Sequence, residues 1–218
     1  MRVGIVGAGN VGTGIGKRLA ASGHAVVVSF SKSQDALDQA AASIGNGARA
    51  GTVAEAAAHG EVVVLATPWG ATREALAQAG GALAGKVLWD CTNPLLPDMS
   101  GLALGTTTSG GEQVRAWAPG ARVVKAVPPF AEVLHSASTT IAGRLPGVFI
   151  CGDDAAARAA VARLVREIGA DPVDAGPLNL ARYTEPLGML LVQLAYAQGM
   201  GARIGAALLR DVTTERTR

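Results

Sequence analysis

The chain has 218 residues, 49% of them apolar, with a formal net charge of +2. That is enough to bury a substantial core, as one large domain or as one domain with a small addition, without disulfide staples. Its 19 basic residues are scattered among 17 acidic ones, which argues against the clustered positive face that nucleic acid requires.

Short runs rich in Val and Ile alternate with Ala-rich stretches from the start of the chain. "RVGIVG" precedes a predicted helix over 13–22, "AVVVSF" one over 34–43, and "VVVLAT" one over 71–80; "KVLWDC" and "ARVVKAV" follow. Continuous apolar runs of this kind predict parallel strands buried on both faces, so the expected class is α/β, a doubly wound Rossmann sheet. In the first helix Val11, Ile15 and Leu19 share the face that packs on the sheet, and Gly12, Gly16 and Ala20 form a small-residue row beside them.

The two cysteines, Cys91 and Cys151, have neither C-x-x-C spacing nor a neighbouring His. No metal site or disulfide framework is expected, and reduced thiols in a cytoplasmic protein fit best. Arg2 is followed by glycines rather than by a continuous apolar run, which is unlike a signal peptide. From about residue 145 the character changes: "PGVFICG", a helix beginning after Asp153 and Asp154 with Val161, Leu164, Val165 and Ile168 on one face, a short strand near "DPVDAG", then a stretch over 186–202 without formal charge. The last is short for a membrane span and is interrupted by Gln and Gly, so it reads as a buried helix. The expected division is a dinucleotide-binding domain over 1–145 and a smaller, mainly helical domain with long apolar helices over 146–218, with a dimer contact on its apolar faces. The polar tail "RDVTTERTR" is expected to fray.

"GIVGAGNVGTG" sets Gly7, Gly9 and Gly12 in G-x-G-x-x-G spacing between a strand and a helix. Gly7 suits a tight turn, Gly9 lets the backbone approach a pyrophosphate and Gly12 allows close helix–strand packing. At the end of the second run stand Ser29, Ser31 and Lys32, where NAD-binding chains place Asp or Glu. Charge-assisted hydrogen bonds from such donors are each worth about 1.5–3 kcal/mol, so two of them favour NADP over NAD by roughly two to four orders of magnitude. After the later strands come Thr67, Pro68 and Trp69, then Cys91, Thr92 and Asn93, then Pro128, Pro129, Phe130 and Glu132. These loops should converge on the nicotinamide end of the cofactor, with Thr67 and Asn93 as polar handles and Trp69, Pro129 and Phe130 as apolar walls. His24 falls at the opposite end of the sheet, and no catalytic residue is assigned.

Together "MRVGIVGAGNVG", "TPW", "DCTNPL", "GEQVRAWAPGARVVKA", "CGDD" and "PVDAGPLNLARYTEPL" resemble the coenzyme F-420-dependent NADP oxidoreductase family. That family is itself similar to the NADPH-binding part of the transmembrane metalloreductases of the six-transmembrane epithelial antigen type. The resemblance implies a dimeric enzyme moving a hydride between NADP(H) and a deazaflavin. It further implies that Gly7, Gly9, Asn10, Val11 and Gly12 bind pyrophosphate, Ser29, Ser31 and Lys32 the 2′-phosphate, and Thr67, Pro68 and Asn93 the inner cofactor. Ala126, Val127, Gly176, Pro177 and Leu178 would line the place where two rings stack. The sequence departs from the family at Pro128, where many relatives carry His or Asn and where proline has no donor to offer. Reduction of another flavin-like, imine or carbonyl acceptor, and a non-catalytic NADP(H)-binding sensor, are the alternative readings.

Overall fold

Eight strands form one sheet in the order β3-β2-β1-β4-β5-β6-β7-β8 in the computed structural model, which describes residues 1–211. The strands are β1 (Arg2–Val6), β2 (Ala25–Ser29), β3 (Arg49–Ala50), β4 (Val62–Leu65), β5 (Val87–Asp90), β6 (Arg122–Lys125), β7 (Gly147–Gly152) and β8 (Asp171–Gly176). The first six run parallel in the 3-2-1-4-5-6 order of a doubly wound Rossmann sheet; β7 is antiparallel to β6 and parallel to β8. Every residue of β4 and β5 is buried, which is why these strands read as unbroken apolar runs.

The helices are α1 (Asn10–Ala21), α2 (Gln34–Ile44), α3 (Val53–His59), α4 (Trp69–Ala79), α5 (Gly110–Trp117), α6 (Ala131–Leu134), α7 (Ala155–Glu167) and α8 (Ala181–Val192). Two apolar layers cover the sheet. Ile15 and Leu19 of α1, Ile44 of α2 and Val161 and Leu164 of α7 pack with Val3 and Ile5. Val53 of α3, Leu76 of α4 and Val114 of α5 pack on the other face with Val63 and Leu65.

The chain enters β7 just after the expected 145/146 division, and both the sheet and the first apolar layer continue across it through Val148 and Ile150. The uncharged stretch over 186–202 is not one helix. The α-helix begins earlier, at Ala181, ends at Val192, and passes through a π-turn at Gln193–Ala197. Beyond it Gly199 and Gly201 adopt φ of 68° and 77°, left-handed backbone that stops helix propagation. Among the described residues no helix is long and apolar enough to cross a membrane. Most of the tail expected to fray, residues 212–218, lies outside the described residues.

Candidate active site

The turn from β1 to α1 gives the three glycines separate tasks. Gly7 has φ 121°, and its N–H donates to the Ser29 carbonyl at 2.9 Å, tying the turn to the end of β2. A Cβ on Gly12 would fall 1.9 Å from the Gly7 carbonyl oxygen, so only glycine lets α1 start this close to the strand. A Cβ on Gly9 would meet nothing within 4 Å: its side is open. Gly9 also caps α1 without a side-chain hydrogen bond, whereas α2, α3, α5 and α7 are capped by Ser33, Thr52, Ser109 and Asp154. The first N–H groups of α1 are thus left to an external anion, and this open cradle fits a pyrophosphate.

At the end of β2 the structure corrects the expected phosphate site. Ser29 is fully buried and its hydroxyl donates to the Ile5 carbonyl at 2.9 Å, so it has no donor to offer a ligand. Phe30 turns the chain with φ 62° and is partly packed against the second apolar layer. Ser31 and Lys32 follow on the exposed surface, and Ser33, missed in the sequence, caps α2. Beside them lies a groove of ≈ 530 Å³ whose walls include Phe30, Ser31, Leu37 and Val53.

A second, more apolar cleft of ≈ 370 Å³ begins at Asn10 and Val11 of the glycine turn. It passes Cys91 and Asn93, continues along Val127, Pro128, Pro129 and Phe130, and is closed by Thr184, Leu187, Gly188 and Leu191 of α8. Asn93 donates from Nδ2 to the Glu185 carbonyl at 3.2 Å, which leaves its buried Oδ1 without a partner. An unpaired buried acceptor in the cleft wall fits the carboxamide of a nicotinamide. Glu132 and Tyr196 stand in the same wall, Tyr196 edge-on to Phe130 with ring centroids 5.8 Å apart. Burial, and then Glu132, push the Tyr196 phenol above its usual pKa, so it stays protonated at neutral pH.

Several expected residues do not reach this cleft. Thr67 is buried and its hydroxyl pairs with that of Thr72 at 2.9 Å; Pro68 is exposed at the start of α4. Trp69 packs against Trp117 instead of walling the nicotinamide, with centroids 5.2 Å apart. Ala126 is buried in the core, its carbonyl accepting from Trp89 Nε1 at 2.8 Å. The ring-stacking role expected of Gly176, Pro177 and Leu178 is a further correction. Leu178 belongs to the second apolar layer and its N–H is held by Asp153, so α8, through its cleft-facing residues from Thr184 onward, supplies the wall in place of this segment. His24 bonds Glu167 and the N-terminus at the far end of the sheet, and His135 bonds the Asn10 carbonyl at 2.8 Å, bracing the glycine turn.

Sequence inspection also missed a buried ionic cluster behind α8. Lys125 Nζ, fully buried, lies 2.7 Å from Asp90 Oδ2 and 3.1 Å from Glu185 Oε1, and donates to the Thr92 carbonyl at 2.8 Å. Glu185 also accepts from the N–H groups of Gly110 and Gly111, at 2.8 and 2.9 Å, where α5 begins. Burial by itself would lower the Lys125 pKa, but Asp90 and Glu185 outweigh it and hold the ammonium above its usual range. The available signal was a charge closing each of two apolar runs, Asp90 at the end of "VLWD" and Lys125 at the end of "RVVK".

Residues 2–94 match the family model described as NADP oxidoreductase, coenzyme F-420-dependent. A crystal structure from Arthrobacter sp. FB24, provisionally assigned as an F-420-dependent NADP reductase, superimposes with a TM-score of 0.84 and 31% identity, covering 95% of this chain and 99% of that one. The chain belongs to the coenzyme F-420-dependent NADP oxidoreductase family. As a member of that family it is an NADP-dependent oxidoreductase with a Rossmann fold. A hypothetical protein of Sinorhizobium meliloti is similar at TM-score 0.71 and 25% identity, over 82% of this chain and 85% of that one. The metalloreductase STEAP3 of Rattus norvegicus is 30% identical over 196 residues; they make up 88% of this chain, which spans only 37% of that relative's length.

Proposed function

We propose that this family member transfers a hydride between NADP(H) and a deazaflavin of the F-420 type, seated in the cleft between the glycine turn and α8. The observation that carries the reading is the continuity of that cleft. One apolar slot starts at Asn10 and Val11, where the dinucleotide would enter, and ends against Leu187 and Leu191. Bound NADPH would supply the hydride. The chain's part is to hold two rings in register and to keep water out, which is where much of the rate of a direct transfer arises. Glycines 7, 9 and 12 with the α1 N-terminus would hold the pyrophosphate, Asn93 Oδ1 the carboxamide, and Pro128, Pro129 and Phe130 the flat flank of the acceptor. Exposed Ser31 and Lys32 would bind the 2′-phosphate; Ser29 drops out of that set.

Mixing enzyme and NADPH with a panel of acceptors, a deazaflavin, riboflavin, an imine and a ketone, tests the reading through the loss of NADPH absorbance. Turnover of the deazaflavin at least tenfold faster than the imine or ketone supports it, by roughly 1.4 kcal/mol of barrier or more. Turnover of the imine or ketone alone would replace it. We also propose a homodimer through α8, on which Tyr183 and Leu190 remain 66% and 54% exposed. Sedimentation at micromolar concentration should give twice the chain mass, and a monomer would reject the dimer.

A further inference from the structure

The face of α8 turned away from the cleft carries an unusual amount of charge for a helix that only completes a wall. Arg182 and Glu185, three residues apart, lie on one side of it. Arg182 makes two hydrogen bonds to Glu112 of α5, at 2.8 and 2.6 Å. Glu185 bridges the buried Lys125 of β6 and the first N–H groups of α5. Lys125 is fixed in turn by Asp90 of β5. At the same level Asn93 holds the Glu185 carbonyl, and Gly188 sits so close that an added Cβ would fall 2.9 Å from Asn93 Nδ2. The other side of the same helix turns presents Thr184, Leu187 and Leu191 to the cleft.

We infer that Asp90, Lys125 and Glu185, with the Arg182–Glu112 pair, form a clamp that fixes α8 against β5, β6 and α5 and so sets the width of the acceptor half of the cleft. Lys125, Glu185 and Arg182 are therefore positioning residues: none of them lines the cleft, and each acts through the helix. The clamp grips α8 but not the glycine turn, so its loss loosens the seat of the acceptor and spares the pyrophosphate seat at that turn, which anchors the cofactor. Buried ion pairs of this kind contribute little net stability against apolar packing, and fixing one geometry is a use that suits them. The inference rests on the acceptor binding beside α8.

The test uses the full-length protein and three variants, Glu185→Gln, Arg182→Met and Arg182→Lys. It measures the NADPH Kd by fluorescence, kcat and KM for 5-deazariboflavin, and amide hydrogen exchange over 181–192. KM should rise about tenfold in Glu185→Gln and about threefold in Arg182→Met, since displacements of an ångström are costly at a reacting pair. NADPH Kd should stay within about twofold, the spread expected of a site that keeps its contacts, and Arg182→Lys should recover most of the loss. Unchanged KM in a folded variant, or a Kd that rises in step with KM, overturns the clamp. If Glu185→Gln does not fold, the more accessible Arg182→Met decides by the same outcomes. If the wild-type protein reduces no deazaflavin, the functional reading falls on its own and exchange decides. Faster exchange over 181–192 with α1 unchanged upholds the clamp; unchanged exchange overturns it.

Discussion

Gly7, Gly9, Asn10, Val11 and Gly12 all lie on the turn that leaves β1 or in the first turn of α1, and the backbone they shape is the proposed pyrophosphate cradle. The rest of the cleft is assembled from Asn93 after β5, Pro128 to Phe130 after β6, and Leu187 and Leu191 on α8. Its walls come from segments far apart in the chain: β5 and β6 are neighbours in the sheet, and the buried charges on them tie α8 to both. One half is therefore specified by local steric demands and the other by long-range electrostatics, and substitutions should separate them.

The largest effect is expected at the long-range half. Lys125→Met leaves Asp90 and Glu185 buried without their shared cation and should lower stability by about 3–5 kcal/mol in urea unfolding. A loss below about 1 kcal/mol would mean that the cluster contributes little to holding α8. Next come the two glycines that look alike in sequence. Gly12→Ala drives a Cβ into the Gly7 carbonyl and should cost about 1–3 kcal/mol along with NADPH binding. Gly9→Ala has room for its methyl; it should leave stability within about 0.5 kcal/mol while weakening NADPH, because the methyl would stand where the pyrophosphate enters. Equal stabilities for the two variants would break the division of labour between them.

The end of β2 offers a finer contrast. Lys32→Ala should weaken NADPH about tenfold, the loss of one charge-assisted contact, and leave NADH unchanged. Ser29→Ala should leave the NADPH-to-NADH ratio alone and cost about 1 kcal/mol of stability, through its lost bond to the Ile5 carbonyl. A last effect is set by pH. Burial pushes the Cys91 thiol well up and that of Cys151 to about 11, from a usual 9.0, and the Lys125 ammonium is also held high. The native state thus keeps protons that the unfolded chain releases. Stability is fully present below about pH 9 and falls as pH rises toward 11, so the urea midpoint should drop between neutral pH and about pH 10.5. A flat midpoint would show that these groups are not sequestered as the fold places them.

The same contrast explains what could be seen in the sequence. The glycine spacing, the apolar strands and the stripe of Val161, Leu164, Val165 and Ile168 are local patterns, and each found its element. Ser29 was misassigned because β2 is buried on both faces from Val26 through its last residue, which a hydroxyl beside Ser31 and Lys32 does not reveal. Gly176 to Leu178 were drawn to the acceptor site by resemblance, yet β8 lies at the edge of the sheet and delivers Leu178 to the second apolar layer. The wall that α8 supplies was hidden for a different reason: its position depends on partners 60 to 95 positions away in the chain, Glu112, Lys125 and Asp90, and spacing carries no record of them.

Direct transfer across the shared cleft is tested most closely with NADPH carrying deuterium at both C4 positions, mixed with enzyme and a deazaflavin in ordinary water. Mass spectrometry of the reduced deazaflavin should find a single deuterium on its ring, delivered without exchange with solvent. A reduced deazaflavin free of deuterium would contradict hydride transfer between two rings held side by side.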